Sequence, residues 1–279
     1  MSELYTARGG LVTLGPELVR LTELLDGRFL RWAGESGAAP MQFPAVIGAA
    51  DLASIDYFDN FPQLALMTAP LRLPDGAGAG AVGLVDGAGV AAERLGPSEY
   101  GLASAACYNV YLHHRSSSLA GPRFVTTVAR CFRNEDHYDG LRRLRGFTMR
   151  EIVCLGPRDA VLEHLAAFRT RVVGFAARLG LELAVEAASD PFFEKDGGRA
   201  LLAQLFPVKE EFVHGSDLAV GSLNFHRNFF GERCGISLAG GGPAFTGCVA
   251  FGLERWIAAL LETHKDVDDI LALVAEAAS

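Results

Sequence analysis

The sequence predicts an α+β fold, and three stretches carry that reading. Val125 to Gly156 holds two apolar runs with alternating polar residues, VTTVARCFRNE and FTMREIVCLG, joined by a polar loop rich in Arg and Asp. That is the pattern of a β-hairpin. Glu17 to Trp32, ELVRLTELLDGRFLRW, is amphipathic at helical spacing and reads as one surface helix. Leu162 to Leu179 fits a second helix with a wide apolar face.

Composition bounds the rest. The chain has 279 residues, 50% of them apolar, which suffices for one large domain or two small ones around a real core. No apolar run approaches the roughly 20 residues of a membrane span. MSELYTARGG lacks a basic start followed by an apolar stretch, so no export signal is expected. Five cysteines, scattered and odd in number, fit a reduced, cytoplasmic chain. The net charge of −8, with no Lys/Arg run and no long heptad arm, argues against a protein that grips a long nucleic acid.

In chain order, residues 1–40 are expected to be a helical N-terminal segment of a single domain that runs over 1–279. Asp75 to Gly96, DGAGAGAVGLVDGAGVAAERLG, reads as a flexible loop or a loosely packed helical segment. It has no phosphate-cradling glycine spacing. Ala103 to Arg115, ASAACYNVYLHHR, sets a Cys in an apolar segment, where a lone thiol is commonly a small core hydrophobe. DVDDILALVAEAAS at the carboxyl end is a short amphipathic helix.

The chemistry concentrates on the hairpin. Side chains two apart share a strand face, so Arg133 and Glu135 point one way on the first strand, as do Phe147, Met149 and Glu151 on the second. Such a surface suits a nucleotide. Arg is a fork of donors for phosphate, Phe a stacking plane for a purine, and a carboxylate accepts from an exocyclic amine or holds a metal.

The order F-R-x-E, basic loop, F-x-x-x-E resembles motif 2 of the class II aminoacyl-tRNA synthetases. That resemblance implies that Arg133 holds the α-phosphate and Phe147 stacks on adenine. The family's third motif, a glycine followed by an Arg at the start of an apolar helix, has its counterpart in FGLERWIAALLETH, Phe251 to His264, with Arg255 facing the nucleotide from the opposite side. Its first motif, a proline ending a dimer-interface segment, corresponds to FPAV, Phe43 to Val46. The resemblance implies an antiparallel sheet flanked by helices, and a homodimer.

Cys107, Glu151 and Cys248 all fall beside that surface. A Cys, Glu, Cys set supplies three protein ligands, and a catalytic zinc site commonly takes three and keeps a fourth position open. The arrangement is similar to the zinc site of the atypical, methanogen-type seryl-tRNA synthetases. It is likewise similar to that of their truncated relatives, the amino acid:carrier-protein ligases, which lack the tRNA-binding arm. The likeness runs from about Gln42 onward. It includes YFDNFP near Tyr57, ACYNVY, MREIV, DPFFEKDGGR at Asp190 to Arg199, LNFHRNFFG at Leu223 to Gly231, and CVAFGLER.

Carried over residue by residue, the resemblance assigns zinc to Cys107, Glu151 and Cys248. It assigns ATP to Arg133, Glu135, Arg143, Leu144, Phe147, Lys209, Ala219, Val220, Gly221, Ser222 and Arg255, and the substrate to Glu151 and Asn224. Arg133 and Arg255, with Mg²⁺, are the expected catalytic groups. The implied activity is adenylation of a small amino acid, then transfer to the phosphopantetheine thiol of a carrier protein. Glycine or alanine is favoured, because Phe225, Phe229 and Phe230 leave little room. In the loop Asp136 to Gly146, Arg142 and Arg145 are left for the acceptor, too few for tRNA. A seryl-tRNA synthetase-like paralogue that acylates tRNA with a helper protein, or a small-molecule acceptor, is the alternative. Cys131, Cys154 and Cys234 read as packed or loop thiols, and the pair His113 and His114 lacks a carboxylate partner. His226 is expected close behind the site.

Overall fold

A computed structural model describes residues 4–72, 85–86, 89–190, 193 and 208–278. Residues 75–84, 87 and 88 of the Gly/Ala run, and DPFFEKDGGR apart from Asp190 and Phe193, lie outside them.

The chain begins with a hairpin that the expected helical segment did not include, β1 (Tyr5–Arg8) and β2 (Leu11–Leu14). YTARGGLVTL alternates, and Gly9 and Gly10 turn the corner at φ +58° and +77°, values that a two-residue hairpin turn of this kind requires. Helix α1 follows (Pro16–Glu35), with Pro16 in its first turn, where its missing N–H costs nothing. Leu18, Leu21, Leu25, Phe29 and Trp32 recur at helical spacing and are all buried.

The central sheet has seven strands. They are β3 (Ala39–Pro40), β4 (Arg123–Phe132), β5 (Gly146–Gly156), β6 (Leu183–Ala188), β7 (Lys209–His214), β8 (Leu218–Arg227) and β9 (Phe245–Gly252). Their order is β6-β7-β8-β9-β5-β4-β3, antiparallel throughout except for the β4–β3 edge. The two runs read as a hairpin from sequence are β4 and β5, paired in register with Thr127 opposite Glu151 and Cys131 opposite Phe147. With its helices, this is the antiparallel sheet flanked by helices that the resemblance implies.

Alternation divides the sheet into two faces. One packs Ile152, Cys154, Val249 and Phe251 against α1, α3 (Arg158–Arg178), α4 (Leu253–Thr263) and α5 (Val267–Ala278). There Phe29 stacks on Phe251 at 4.0 Å and 12°. Arg150 is buried on this face, forked onto Asp26 of α1. The opposite face packs Val125, Val153 and Cys248 against Tyr57, Val110, Tyr111 and Phe230. Helix α2 (Tyr108–His113) lies on it. A small sheet of Val46–Gly48, Tyr100–Leu102 and Met67–Thr68 flanks that second layer. Among the described residues no helix is long and apolar enough to cross a membrane.

Candidate active site

Four adjacent strands send alternate side chains to the second face. The register places Ser222 beside Ala250, Asn224 beside Cys248, Ala250 beside Glu151, and Gly252 beside Met149. Lys209 and Glu211 on β7 stand opposite Asn224 and Ser222. Gly221 is required for this approach, since a Cβ there would lie 2.6 Å from the Ala250 carbonyl oxygen.

Two cavities adjoin on this face. The smaller, about 80 Å³, is lined by Arg133, Glu135, Leu144, Phe147, Lys209, Ala219 to Ser222 and Arg255. These are the residues expected to contact ATP, apart from Arg143. Arg143 lies just behind, donating to Glu135 Oε2 at 2.8 Å. The larger, about 330 Å³, is lined by Cys107, Glu151, Asn224 and Cys248, with Tyr108, His226 and Phe230 among its other walls. Arg133, Met149, Lys209, Ser222 and Ala250 line both.

The cations are held by backbone oxygen. Arg133 Nε donates to Ser104 O at 3.1 Å, and Arg255 donates to Arg142 O at 2.8 Å and Ala219 O at 3.1 Å. Burial, and then the neighbouring Arg133, lower Arg255 to about 10, which leaves it charged at neutral pH. A carbonyl orients a guanidinium without neutralising it, so this pocket keeps its attraction for phosphate. Lys209 is different. Burial pushes its pKa down, but Asp190 at 3.1 Å and Glu211 at 2.9 Å outweigh that and raise it.

In the larger cavity, the ligand atoms of Cys107, Glu151 and Cys248 all lie within 4.8 Å of one another, and all three residues are buried. Glu151 Oε1 accepts from the N–H groups of Ala106 at 2.8 Å and Cys107 at 3.1 Å. Its Oε2 is buried without a protein partner. Asn224 Nδ2 donates to Ser222 Oγ at 3.0 Å and to Cys248 Sγ at 3.4 Å. The hydrogen bond from Cys107 pulls the Cys248 thiol down, but burial and Glu151 push it up to about 11. That bond and burial hold the Cys107 thiol well above its usual range. Two neutral thiols around a carboxylate with an idle oxygen fit a thiophilic divalent cation.

Other expectations are settled by packing. Cys131, Cys154 and Cys234 are free, buried thiols apart from the cluster. His114 is buried and held at about 4 by burial, with Arg123 and His113 adding to it. Arg142 corrects the acceptor expectation: it donates to Glu262 and Asp217 and so braces the loop. Arg145 lies over the Tyr138 ring at 5.0 Å. Both arginines are engaged within the protein.

Sequence reasoning missed the supports. Gly10 O accepts from Arg145 N at 2.8 Å, and Tyr138 packs on Gly10, so the N-terminal hairpin clamps the loop carrying Arg143 and Leu144. Glu254 accepts from Thr148 N at 2.8 Å and from Arg130, fastening α4 to β5 next to Arg255. The acidic residue before Arg255 was the one available signal.

No protein-family model matches the chain. In overall fold it superposes on the seryl-tRNA synthetase of M. kandleri, solved in complex with A. aeolicus tRNASec. The TM-score is 0.79 at 20% identity, covering 98% of this chain and 58% of that one. The chain thus spans a little over half the length of that synthetase, and its fold is that of the class II aminoacyl-tRNA synthetase catalytic domain. In sequence it is 36% identical over 244 residues to amino acid–acyl-carrier-protein ligase 1 of Bradyrhizobium diazoefficiens, covering 82% of this chain and 73% of the relative. It is also 36% identical over 251 residues to ligase 2 of that organism, covering 84% and 72%. The chain belongs to the amino acid–acyl-carrier-protein ligase family.

Proposed function

We propose that the protein activates a small amino acid with ATP and passes it to the phosphopantetheine thiol of a carrier protein. The observation that carries this reading is the wall common to the two cavities. A cationic, ring-lined pocket suited to ATP meets a three-ligand pocket suited to an amino acid across Arg133, Lys209 and Ser222.

Cys107, Glu151 and Cys248 are the residues that would hold zinc, and Asn224 stands next to them. Bound there, zinc would supply Lewis acidity for the substrate's α-amine and so hold down its nucleophilicity. The chain's own groups do the rest. Phe147 offers the base a stacking face, and Glu135 an acceptor for the exocyclic amine. Arg133 and Arg255, with Mg²⁺ carried on ATP, hold the charge that grows on the α-phosphate. A carboxylate oxygen of the amino acid attacks the α-phosphorus, and the bond to the pyrophosphate oxygen breaks. The carrier thiol then attacks the carbonyl carbon, loses its proton, and AMP leaves with the electron pair.

Glycine or alanine is the favoured substrate, with serine behind them, since a grip on the amine does not depend on a side chain. Apolar pockets discriminate one methyl by only about 1–3 kcal/mol, so activity on more than one of these is expected. Val46, Met67 and Tyr100 leave apolar side chains exposed on the small sheet, which supports a homodimer through that segment. Transfer to tRNA is disfavoured by the net charge of −8 and the lack of a Lys/Arg run.

Amino-acid-dependent exchange of pyrophosphate into ATP, run across all the amino acids, tests the first half-reaction. Thioester formation on a holo carrier protein, with none on its apo form, tests the second. Preference for a large or charged amino acid refutes the substrate assignment, and transfer to tRNA at a comparable rate overturns the acceptor.

A further inference from the structure

Along β8 the side chains change surroundings as the strand leaves the nucleotide pocket. Ser222 lines both cavities, Asn224 stands beside Cys248, and His226, the next residue of the same parity, lines only the larger one. His226 is also the extra residue of a bulge. The register passes from Phe225 opposite Gly247 to Arg227 opposite Thr246, and Arg227 takes φ +53°, a left-handed conformation that is unfavourable for a residue with a Cβ. A bulge of this kind re-aims a side chain beside a site.

The imidazole that the bulge delivers is held from behind. Its Nδ1 lies 3.2 Å from the Tyr111 hydroxyl. The ring stands edge-on to Tyr111 at 5.6 Å and to Phe230 at 5.1 Å, and those two rings stack at 4.0 Å and 18°, buried in the second layer. Among the described residues none takes Nε2. The ring thus turns one engaged nitrogen to the packed layer and offers the other to the cavity that it lines.

We propose that His226 is a specificity-determining residue whose Nε2 hydrogen-bonds a β-hydroxyl on the amino acid substrate. The inference rests on the adenylation reading given above. With the carboxylate at Arg133 and the amine at Cys107, Glu151 and Cys248, the β-carbon is the part of the substrate left to face the cavity beyond them, and His226 is the polar group that β8 places there. The match to a hydroxyl follows from the chemistry of the pair. If Tyr111 donates to Nδ1, then Nε2 carries a hydrogen and donates; if Nδ1 donates to Tyr111, then Nε2 accepts. A hydroxyl can answer either, and a methyl neither. One neutral hydrogen bond in a cavity open to water favours serine over an apolar substrate of equal size by about 3- to 10-fold. That keeps serine among the substrates without excluding alanine.

The test is pyrophosphate exchange with serine and with 2-aminobutyrate, which carries a methyl in place of the hydroxyl. In the wild type, kcat/KM for serine should exceed that for 2-aminobutyrate by about 3- to 10-fold. His226→Phe, which keeps a flat ring and removes both nitrogens, should abolish this preference, and His226→Gln, whose amide reaches the same point, should retain it. Each comparison is a ratio within one protein, so a lower yield of folded enzyme cancels. A wild type without the preference overturns the inference, and so does a ratio unchanged in His226→Phe. Exchange with glycine and alanine but with neither of these two substrates overturns it and leaves the adenylation reading standing. No exchange with any amino acid overturns both.

Discussion

The Arg133 guanidinium lies over the Phe147 ring, 5.1 Å from its centroid, with its Nε tied to Ser104 O. The phosphate-seeking cation, just past the end of β4, and the base-stacking plane on β5 are thus assembled before any nucleotide arrives. A preset pair of this kind costs little reorganisation at the moment of reaction.

Arg133→Ala and Arg255→Ala each remove a donor aimed at developing charge. Each is expected to cost about 3–4 kcal/mol of transition-state stabilisation, a drop of roughly 10²–10³ in exchange rate. Normal exchange in both variants would place the chemistry in another pocket.

The purified protein is expected to carry about one zinc per chain, the stoichiometry of a single three-ligand site. Cys248→Ala should lose both the metal and amino acid activation while remaining folded. Full metal content in the Cys107→Ala, Glu151→Ala and Cys248→Ala variants alike rules the cluster out.

Gly10→Ala tests the clamp on the loop. The residue sits at φ +77°, and an added Cβ would lie 2.4 Å from the Tyr138 ring. A loss of about 1–3 kcal/mol in stability is expected, together with a raised KM for ATP as Arg143 and Leu144 shift. An unaffected KM would detach the hairpin from the nucleotide pocket.

Burial lowers His114, His164 and His226 from 6.5 to about 4. Between about pH 6.5 and 4 the unfolded chain binds protons at these sites and the folded chain does not. Stability should therefore fall as pH drops through that window, by up to about 3 kcal/mol for each histidine. His164, whose Nε2 lies 3.3 Å from Ile152 O, packs beside Phe168 in the helix layer, on the face of the sheet away from Cys248. His164→Gln should flatten the slope seen in denaturant titrations, and an identical slope in the variant would refute this account.

What the sequence made legible was alternation. β4 and β5 could be read because polar and apolar residues take turns, and the same parity lined up Arg133, Phe147 and Glu151. Helices α1 and α3 could be read from their spacing. Cys107 and Cys248, 141 positions apart, carry no local signal and were reached through family likeness. The supports were invisible for a physical reason. Arg133 and Arg255 are held by carbonyl oxygens of Ser104, Arg142 and Ala219, and any residue type offers a carbonyl. Arg142 looked available for an acceptor because Asp217 and Glu262, the carboxylates that take it, are distant in sequence.

The strand register has a consequence for how this site can vary. Ser222, Asn224, Cys248, Ala250 and Glu151 reach one surface because each sits at the right parity on its strand, and β5, β8 and β9 hold one another in register. Inserting or deleting one residue within any of these strands turns its contribution over into the packed layer beneath, where Ile152, Val249 and Phe251 now lie. Length changes are therefore barred from the strands. Recognition of a different acceptor or amino acid has to be altered by point replacement along the cavity walls or by lengthening the connections between strands.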